Sequence, residues 1–284
     1  MPIDSVAETQ TLGNGCKEGL VKLVLLLSGD NPLGLNEHFV DDPYNIWPDK
    51  YSVAFMEREF IDKIKRETGK SRLRVAFVPY SSDNPKKYGD QFINYARINH
   101  DDCDVDVLPV INTQQDVDEA ARIVDKADII YLGGGNTSLM DMYLKLKISG
   151  KEQTLGNLIA GKSYLIGFSA GAYLMQDWYI VYSKPERGYG AVNNVIVLVH
   201  AGKHHTDVGN LLTILQELKN VDPQTEVYWL EQNGGVMVSV NHSRRVSCRG
   251  KDTIYRLTLD GDGNLQKTPV ETIDRQVHHG AELR

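Results

Sequence analysis

The sequence predicts an α/β protein built on a doubly wound, mostly parallel sheet. Two patterns point there. From position 21 to position 168, short apolar runs of strand length alternate with helical patterns, most of them ten or more residues long. That alternation marks βαβ units. Two of the apolar runs end in glycine-rich turns, Gly133-Gly134-Gly135 and Gly167-Phe168-Ser169-Ala170-Gly171, each followed by a further helical pattern. In sheets of this kind the loops at strand carboxyl ends carry the chemistry.

The elements follow in order. Val21–Leu27 reads as a strand broken only by Lys22, and Arg72–Pro79 as a second with the core Val75-Ala76-Phe77-Val78. Val105–Val110, Asp128–Leu132 and Ser163–Phe168 supply the third, fourth and fifth. Helical patterns lie between them at Val53–Thr68, Lys87–Asn99, Gln115–Lys126, Thr137–Lys147 and Gln153–Ala160. Beyond Ser169 the texture becomes strand-rich, with Val195–Val199, Glu226–Leu230, Val236–Val240 and Thr253–Leu259, and one helix at Asp207–Lys219. Residues 1–20 read as a flexible arm and 21–284 as one domain, with a polar, peripheral tail from about 261. The insert Asn31–Lys50 follows the first strand, where a rim or lid over a site belongs.

Bulk composition narrows the classes. At 284 residues, with 41% hydrophobic and 24% charged residues, the chain has an ordinary globular make-up. A chain of that size buries roughly 75% of its unfolded surface, so it needs no disulfide or metal staple. The net charge of −7 argues against binding nucleic acid or anionic membranes. Cys16, Cys103 and Cys248 show no ligand spacing and suit a reducing cytosol. No apolar run approaches the length of a membrane span, and the polar start lacks a signal-peptide layout. The expectation is a cytoplasmic protein with no membrane segment, no metal and no cofactor.

The strongest local signal is Gly167-Phe168-Ser169-Ala170-Gly171, between an apolar strand and a small-residue helix. There Ser169 sits on a nucleophile elbow, its flanking glycines permitting a strained turn. The turn aims the Ala170 N–H and a helix amino end at any oxyanion beside the serine. A hydrolytic serine also needs a base, an orienting acid and a second amide donor. His200 ends the run Val195–Val199, with His204 and His205 as rivals, and Glu231 ends the run Val227–Leu230. The Gly133–Asn136 turn offers bare N–H groups, including that of Gly135. A lone strand-end histidine or glutamate is usually only solvated. Four loops meeting at one sheet edge carry the argument.

Three weaker matches are set aside. Gly156–Ser163 fits G-x-x-x-x-G-K-S, but helix precedes strand there, whereas a phosphate-cradling loop leaves a strand and opens a helix. Gly133–Gly135 is half a dinucleotide fingerprint with Ser138 where the third glycine belongs. His200 and His204 have zinc-ligand spacing, but no Glu follows His200 and Gly202 disfavours a helix.

These elements, in this order, resemble the peptidase E family, the aspartyl dipeptidases and their cyanophycinase relatives. The resemblance rests on Gly133-Gly134-Gly135-Asn136-Thr137 after a strand and Ser169-Ala170-Gly171-Ala172 at the elbow. It continues with a strand ending in His200, a helix carrying Leu211-Leu212, Leu230-Glu231 ahead of a hairpin at Val236–Val240, and Phe77-Val78-Pro79-Tyr80. It spans roughly residues 21–260. It implies a flavodoxin-like three-layer sheet, related to class I glutamine amidotransferases, with a C-terminal β-hairpin. It implies Ser169 as nucleophile, His200 as general base and Glu231 as orienting acid, with the Gly135 and Ala170 amides as oxyanion hole. Gly134, Asn136, His204 and His205 fall where the substrate would bind.

The aspartyl dipeptidases carry arginines just after the catalytic histidine. This chain has His204, His205 and Asp207 there, and no arginine between Arg187 and Arg244. The resemblance therefore does not imply a strict Asp preference. The expected activity is hydrolysis of a small peptide or isopeptide amide through an acyl-enzyme. The alternatives are an esterase using the same residues and a non-catalytic ligand-binding relative.

Overall fold

The computed structural model describes residues 22–28, 51–181, 184–201, 211–213, 215–216, 225–230, 234–240, 244–250 and 254–270. The first half of the chain is β1 (Lys22–Ser28), α1 (Tyr51–Thr68), β2 (Leu73–Val78), α2 (Pro85–Asn99), β3 (Cys103–Val107), α3 (Gln114–Lys126) and β4 (Ile129–Leu132). Next come α4 (Thr137–Leu144), α5 (Leu155–Ala160), β5 (Tyr164–Phe168), α6 (Ala170–Met175), β6 (Trp178–Val181), β7 (Lys184–Arg187) and β8 (Val195–Leu198). The remainder is β9 (Glu226–Trp229), β10 (Gly234–Val240), β11 (Arg244–Gly250), β12 (Tyr255–Leu259) and β13 (Leu265–Pro269).

Strand β1 shows why its sequence is apolar without a break. Leu23, Leu25 and Leu27 pack with Met56, Phe60, Ile61 and Ile64 of α1. Val24 and Leu26 face the opposite cluster, with Ala172, Leu174 and Met175 of α6. Helices cover both faces, so alternation with polar residues is not needed. The sheet has seven strands in the order β11-β10-β1-β5-β4-β2-β3. Strands β1, β5, β4, β2 and β3 pair in parallel. The hairpin β10–β11 adds to β1 antiparallel. This is the three-layer α/β sheet with a C-terminal hairpin that the sequence predicts.

The chain runs from β2 outward to β3, then returns to β4 on the other side of β2. Helix α2 packs in the cluster with α1, whereas α3 packs in the other. The carboxyl ends of β2 and β4 thus form a topological switch point, where open α/β sheets hold their ligands.

Several boundaries differ from expectation for local reasons. The third strand starts at Cys103 and ends at Val107, not Val110. After Leu108 N–H donates to Phe77 O (3.0 Å), Pro109 has no N–H to continue the ladder. The helix expected to Lys147 ends at Leu144, and Lys147 forms an antiparallel bridge with Thr154. The next helix starts at Leu155 rather than Gln153 because Thr154 caps it, its side chain accepting from Asn157 N–H.

A second sheet, ordered β13-β12-β9-β8, is a feature the sequence reading did not separate from the first. Val195, Val197 and Val199 face the main core, while Ile196 and Leu198 pack with Val227, Trp229 and Leu257 on the far side. Strand β8 thereby lies against the α6 layer. The small hairpin β6–β7 and the strand β13 were also not read from the sequence. Residues 211–213 and 215–216 are helical within the expected Asp207–Lys219, with Leu211 and Leu215 buried. The arm 1–20 and the insert Asn31–Lys50 lie outside the described residues. Among the described residues, no helix is long and apolar enough to cross a membrane.

Candidate active site

Ser169 joins β5 to α6 with φ 49° and ψ −106°. That conformation is sparsely populated for a residue with a side chain and persists only where the surroundings enforce it. They do so by close packing. A Cβ on Gly167 would lie 2.7 Å from Gly171 O, and one on Gly171 would lie 2.5 Å from both Leu132 Cβ and Leu132 O. Only hydrogen fits at either position, so the two glycines let the turn close against β4. Ser169 N–H donates to Leu27 O (3.0 Å), and Gly171 N–H donates to Gly133 O (3.2 Å). The elbow is therefore fastened to strands on both sides.

His200 follows β8 with φ 53°, and its N–H donates to the Oγ of Ser28 (2.9 Å), a fully buried residue at the end of β1. Its Nε2 lies 2.9 Å from Ser169 Oγ. Among the described residues only Ser169, His200 and Asn194 have positive φ without being glycine. Two of those three are this contacting pair, and backbone strain of that kind concentrates at functional sites. Two buried side chains hold the elbow helix to β8. Tyr173 OH donates to Val199 O (2.8 Å). Gln176 accepts from Val197 N–H (2.7 Å) and donates to Val197 O (3.2 Å).

The glycine turn after β4 lies against the serine. A Cβ on Gly134 would meet Ser169 Cβ at 3.1 Å. Gly135 has φ 136°, a conformation glycine tolerates, and a Cβ there would strike Ser81 O at 2.5 Å. Among the described residues, the Gly135 and Ala170 N–H groups have no acceptor. They are the amides that the sequence reading assigns to an oxyanion.

Other expected contacts are placed differently. Gly134 turns its own N–H and C=O inward, to Tyr88 and Ser81. Asn136 caps α4, its side-chain oxygen accepting from Leu139 N–H (3.0 Å), while its own N–H goes to Ser81 O (2.8 Å). A helix N-cap is the ordinary use of Asn before a helix, and Thr137 as the first helical residue was the available signal. Glu231, His204 and His205 lie outside the described residues. Sequence reasoning missed Ser28, Ser81, Tyr88, Tyr173 and Gln176. Each acts through the backbone of a distant element, and no local spacing announces that. The rejected phosphate-loop match is a helix, α5, running into β5, as expected.

A serine in a strained strand-to-helix turn with an imidazole at hydrogen-bond distance is an arrangement that nucleophilic hydrolases on α/β sheets use. The model of peptidase family S51 matches residues 53–241, and the chain belongs to that family of peptidases. Two solved structures are similar. One is a peptidase from an acI-B1 Actinobacterium, 16% identical, with a TM-score of 0.60, covering 90% of this chain and 96% of its own. The other is a candidate peptidase E protein from Listeria monocytogenes EGD-e, 17% identical, with a TM-score of 0.47, covering 82% of this chain and 100% of its own. The first shares the fold. No curated protein matches the chain.

Proposed function

We propose that this protein is a serine peptidase that hydrolyses a small peptide or isopeptide amide through a Ser169–His200–Glu231 triad. The observation that carries the reading is the strained Ser169 with its Oγ 2.9 Å from His200 Nε2. His200 Nε2 accepts the Ser169 proton as Oγ attacks the substrate carbonyl, then passes it to the leaving amine. Water, activated by the same imidazole, releases the acyl group. The carbonyl oxygen becomes an oxyanion that the Gly135 and Ala170 amides stabilise, a role their lack of any other acceptor among the described residues supports.

For the acid, the parallel register of β8 and β9 supports Glu231. It ends with Leu198 opposite Trp229, and His200 and Glu231 each follow two residues later in the sequence. Ala201 N–H also donates to Leu230 O (2.9 Å), a bond between the immediate neighbours of that pair. A carboxylate there would hold the tautomer with the proton on Nδ1, leaving Nε2 free to accept.

The test is a dipeptide library incubated with the enzyme and read by mass spectrometry. Cleavage of short peptides, lowered about 10⁴–10⁶-fold by Ser169→Ala, is the expected result. Cleavage that survives Ser169→Ala within tenfold contradicts the reading.

A further inference from the structure

We infer that Tyr88, with Ser81, is a positioning residue that sets the direction of the Gly135 oxyanion amide. The inference rests on the proposed role of Ser169 and Gly135. Tyr88 OH accepts from Gly134 N–H (2.9 Å) and donates to Gly134 O (3.0 Å). The same carbonyl accepts from Ser81 Oγ (2.6 Å). One oxygen atom of the glycine turn is thus held by two hydroxyls from the β2–α2 region.

The consequence follows from the planarity of the peptide. In a trans peptide the C=O of one residue and the N–H of the next lie in one plane and point in opposite directions. Fixing Gly134 O toward Ser81 and Tyr88 fixes Gly135 N–H away from them. Ser169 adjoins Gly134, at 3.1 Å from where a Gly134 Cβ would stand. Without side chains, a run of three glycines has little of its own to prevent a flip of that peptide plane. A flip would present a carbonyl oxygen, the wrong sign of dipole, to the developing oxyanion.

Tyr88 is itself closely packed. Its ring is buried, packs edge-on against Phe77 with centroids 5.2 Å apart, and leaves no room for a side chain at Gly133, whose Cβ would lie 2.7 Å from its hydroxyl. Burial pushes the phenol far above its ordinary pKa, so it remains a neutral donor at any working pH. Ser81 is braced from the other side, because its carbonyl accepts from Asn136 N–H (2.8 Å). The turn is clamped at Gly134 and Asn136, and the residue between them is Gly135.

Tyr88→Phe keeps the ring and removes the hydroxyl, and Ser81→Ala removes the other donor to the same carbonyl. The probe is a fluorophosphonate, whose phosphoryl oxygen occupies the oxyanion position during attack by serine. The maximal inactivation rate should fall roughly 10–100-fold in each variant, part of the effect of deleting an oxyanion donor. The concentration for half-maximal rate should stay within about threefold of wild type. The double variant should be less impaired than the product of the two, since both act on one peptide plane. A merely structural Tyr88 would lower the melting temperature and leave the inactivation rate at 25 °C unchanged.

Wild-type inactivation rates in both single variants overturn this inference alone, provided Ser169→Ala is unlabelled. Labelling of Ser169→Ala, or none of the wild type, removes the serine reading and this inference with it. If Tyr88→Phe does not fold, Ser81→Ala reads the same carbonyl, and a wild-type rate there overturns the inference.

Discussion

Gln176 and Val197 meet as residues on neighbouring strands do, except that one of them uses its side chain. The carboxamide oxygen of Gln176 accepts from Val197 N–H, and the carboxamide nitrogen donates to Val197 O and to Ala172 O. Gln176 is completely buried and closes the helix that begins at Ser169, while Val197 lies three residues before His200. The amide therefore spans the gap between the element carrying the serine and the element carrying the histidine.

Gln176→Leu should expose that role. Val197 would keep a buried N–H and C=O without partners, a loss of about 2–3 kcal/mol. Denaturant unfolding should show it as a lower midpoint. Peptide cleavage should fall about tenfold or more under conditions where the variant is fully folded, because small displacements between serine and histidine are costly. A stability loss with unchanged turnover would show that Gln176 serves packing only.

Gly171→Ala and Gly161→Ala should have opposite outcomes. At Gly171 the new methyl would stand 2.5 Å from the Leu132 backbone, which cannot move without displacing β4. A loss of about 1–3 kcal/mol or more, with loss of cleavage, is expected. Gly161 has φ −73° and its nearest neighbour at 3.4 Å, so alanine fits there. That substitution should be neutral or stabilise by up to about 1 kcal/mol. Paired thermal melts of the two variants check this directly.

Asp102 gives a pH-dependent test of stability. Burial alone would raise its carboxyl, but the hydrogen bond from Lys65 and the charges of Arg58 and Lys65 hold it below the usual range. Arg58 reaches both its oxygens at 3.0 Å. A depressed folded-state pKa means the unfolded chain binds the proton more readily. The stabilisation is therefore complete above the unfolded value of about 3.9 and is lost as pH falls through the folded value. With solvent screening it should be about 1 kcal/mol. Asp102→Asn should lower the melting temperature at pH 7, and the gap from wild type should begin to narrow only below about pH 4. A gap as large at pH 2 as at pH 7 would contradict the assignment.

Substrate preference should be less acidic than in the aspartyl dipeptidases. Arg187, a candidate source of positive charge, is paired with Asp177 at 2.7 Å and lies 3.9 Å over the Trp178 ring. Lys203, His204 and His205 remain as cationic partners by sequence, with Asp207 opposing them. Histidines gain charge below about pH 6.5, so any preference for an N-terminal Asp should grow as pH falls through that value. The measurement is kcat/KM for Asp-Leu, Asn-Leu and Lys-Leu at pH 6 and pH 8. A hundredfold preference for Asp-Leu at pH 8 would contradict it.

The parallel sheet and the serine were legible because their signals are local. A strand such as Val75–Val78 and a turn such as Gly167–Gly171 declare themselves within a few residues. The partnership of Ser169 with His200 was legible only as a convergence of strand ends, since 31 residues and a change of sheet separate them. The second sheet was not legible, because β8 and β9 read only as further strands and nothing local says which sheet they join. Nor was the enclosed carboxylate of Glu57, which accepts from Tyr131 OH and Tyr95 OH and contacts His100 Nε2 at 2.8 Å. In sequence Glu57 is one acid on an amphipathic helix, and its burial depends on three residues far along the chain.

Covalent labelling by a fluorophosphonate followed by peptide mapping tests whether Ser169 is the nucleophile and His200 its base. The adduct should map to Ser169 in the wild type, be absent in Ser169→Ala, and form about 10³-fold or more slowly in His200→Ala, because the pair acts as a unit. An adduct on another residue, or a His200→Ala variant labelled at the wild-type rate, would contradict the account.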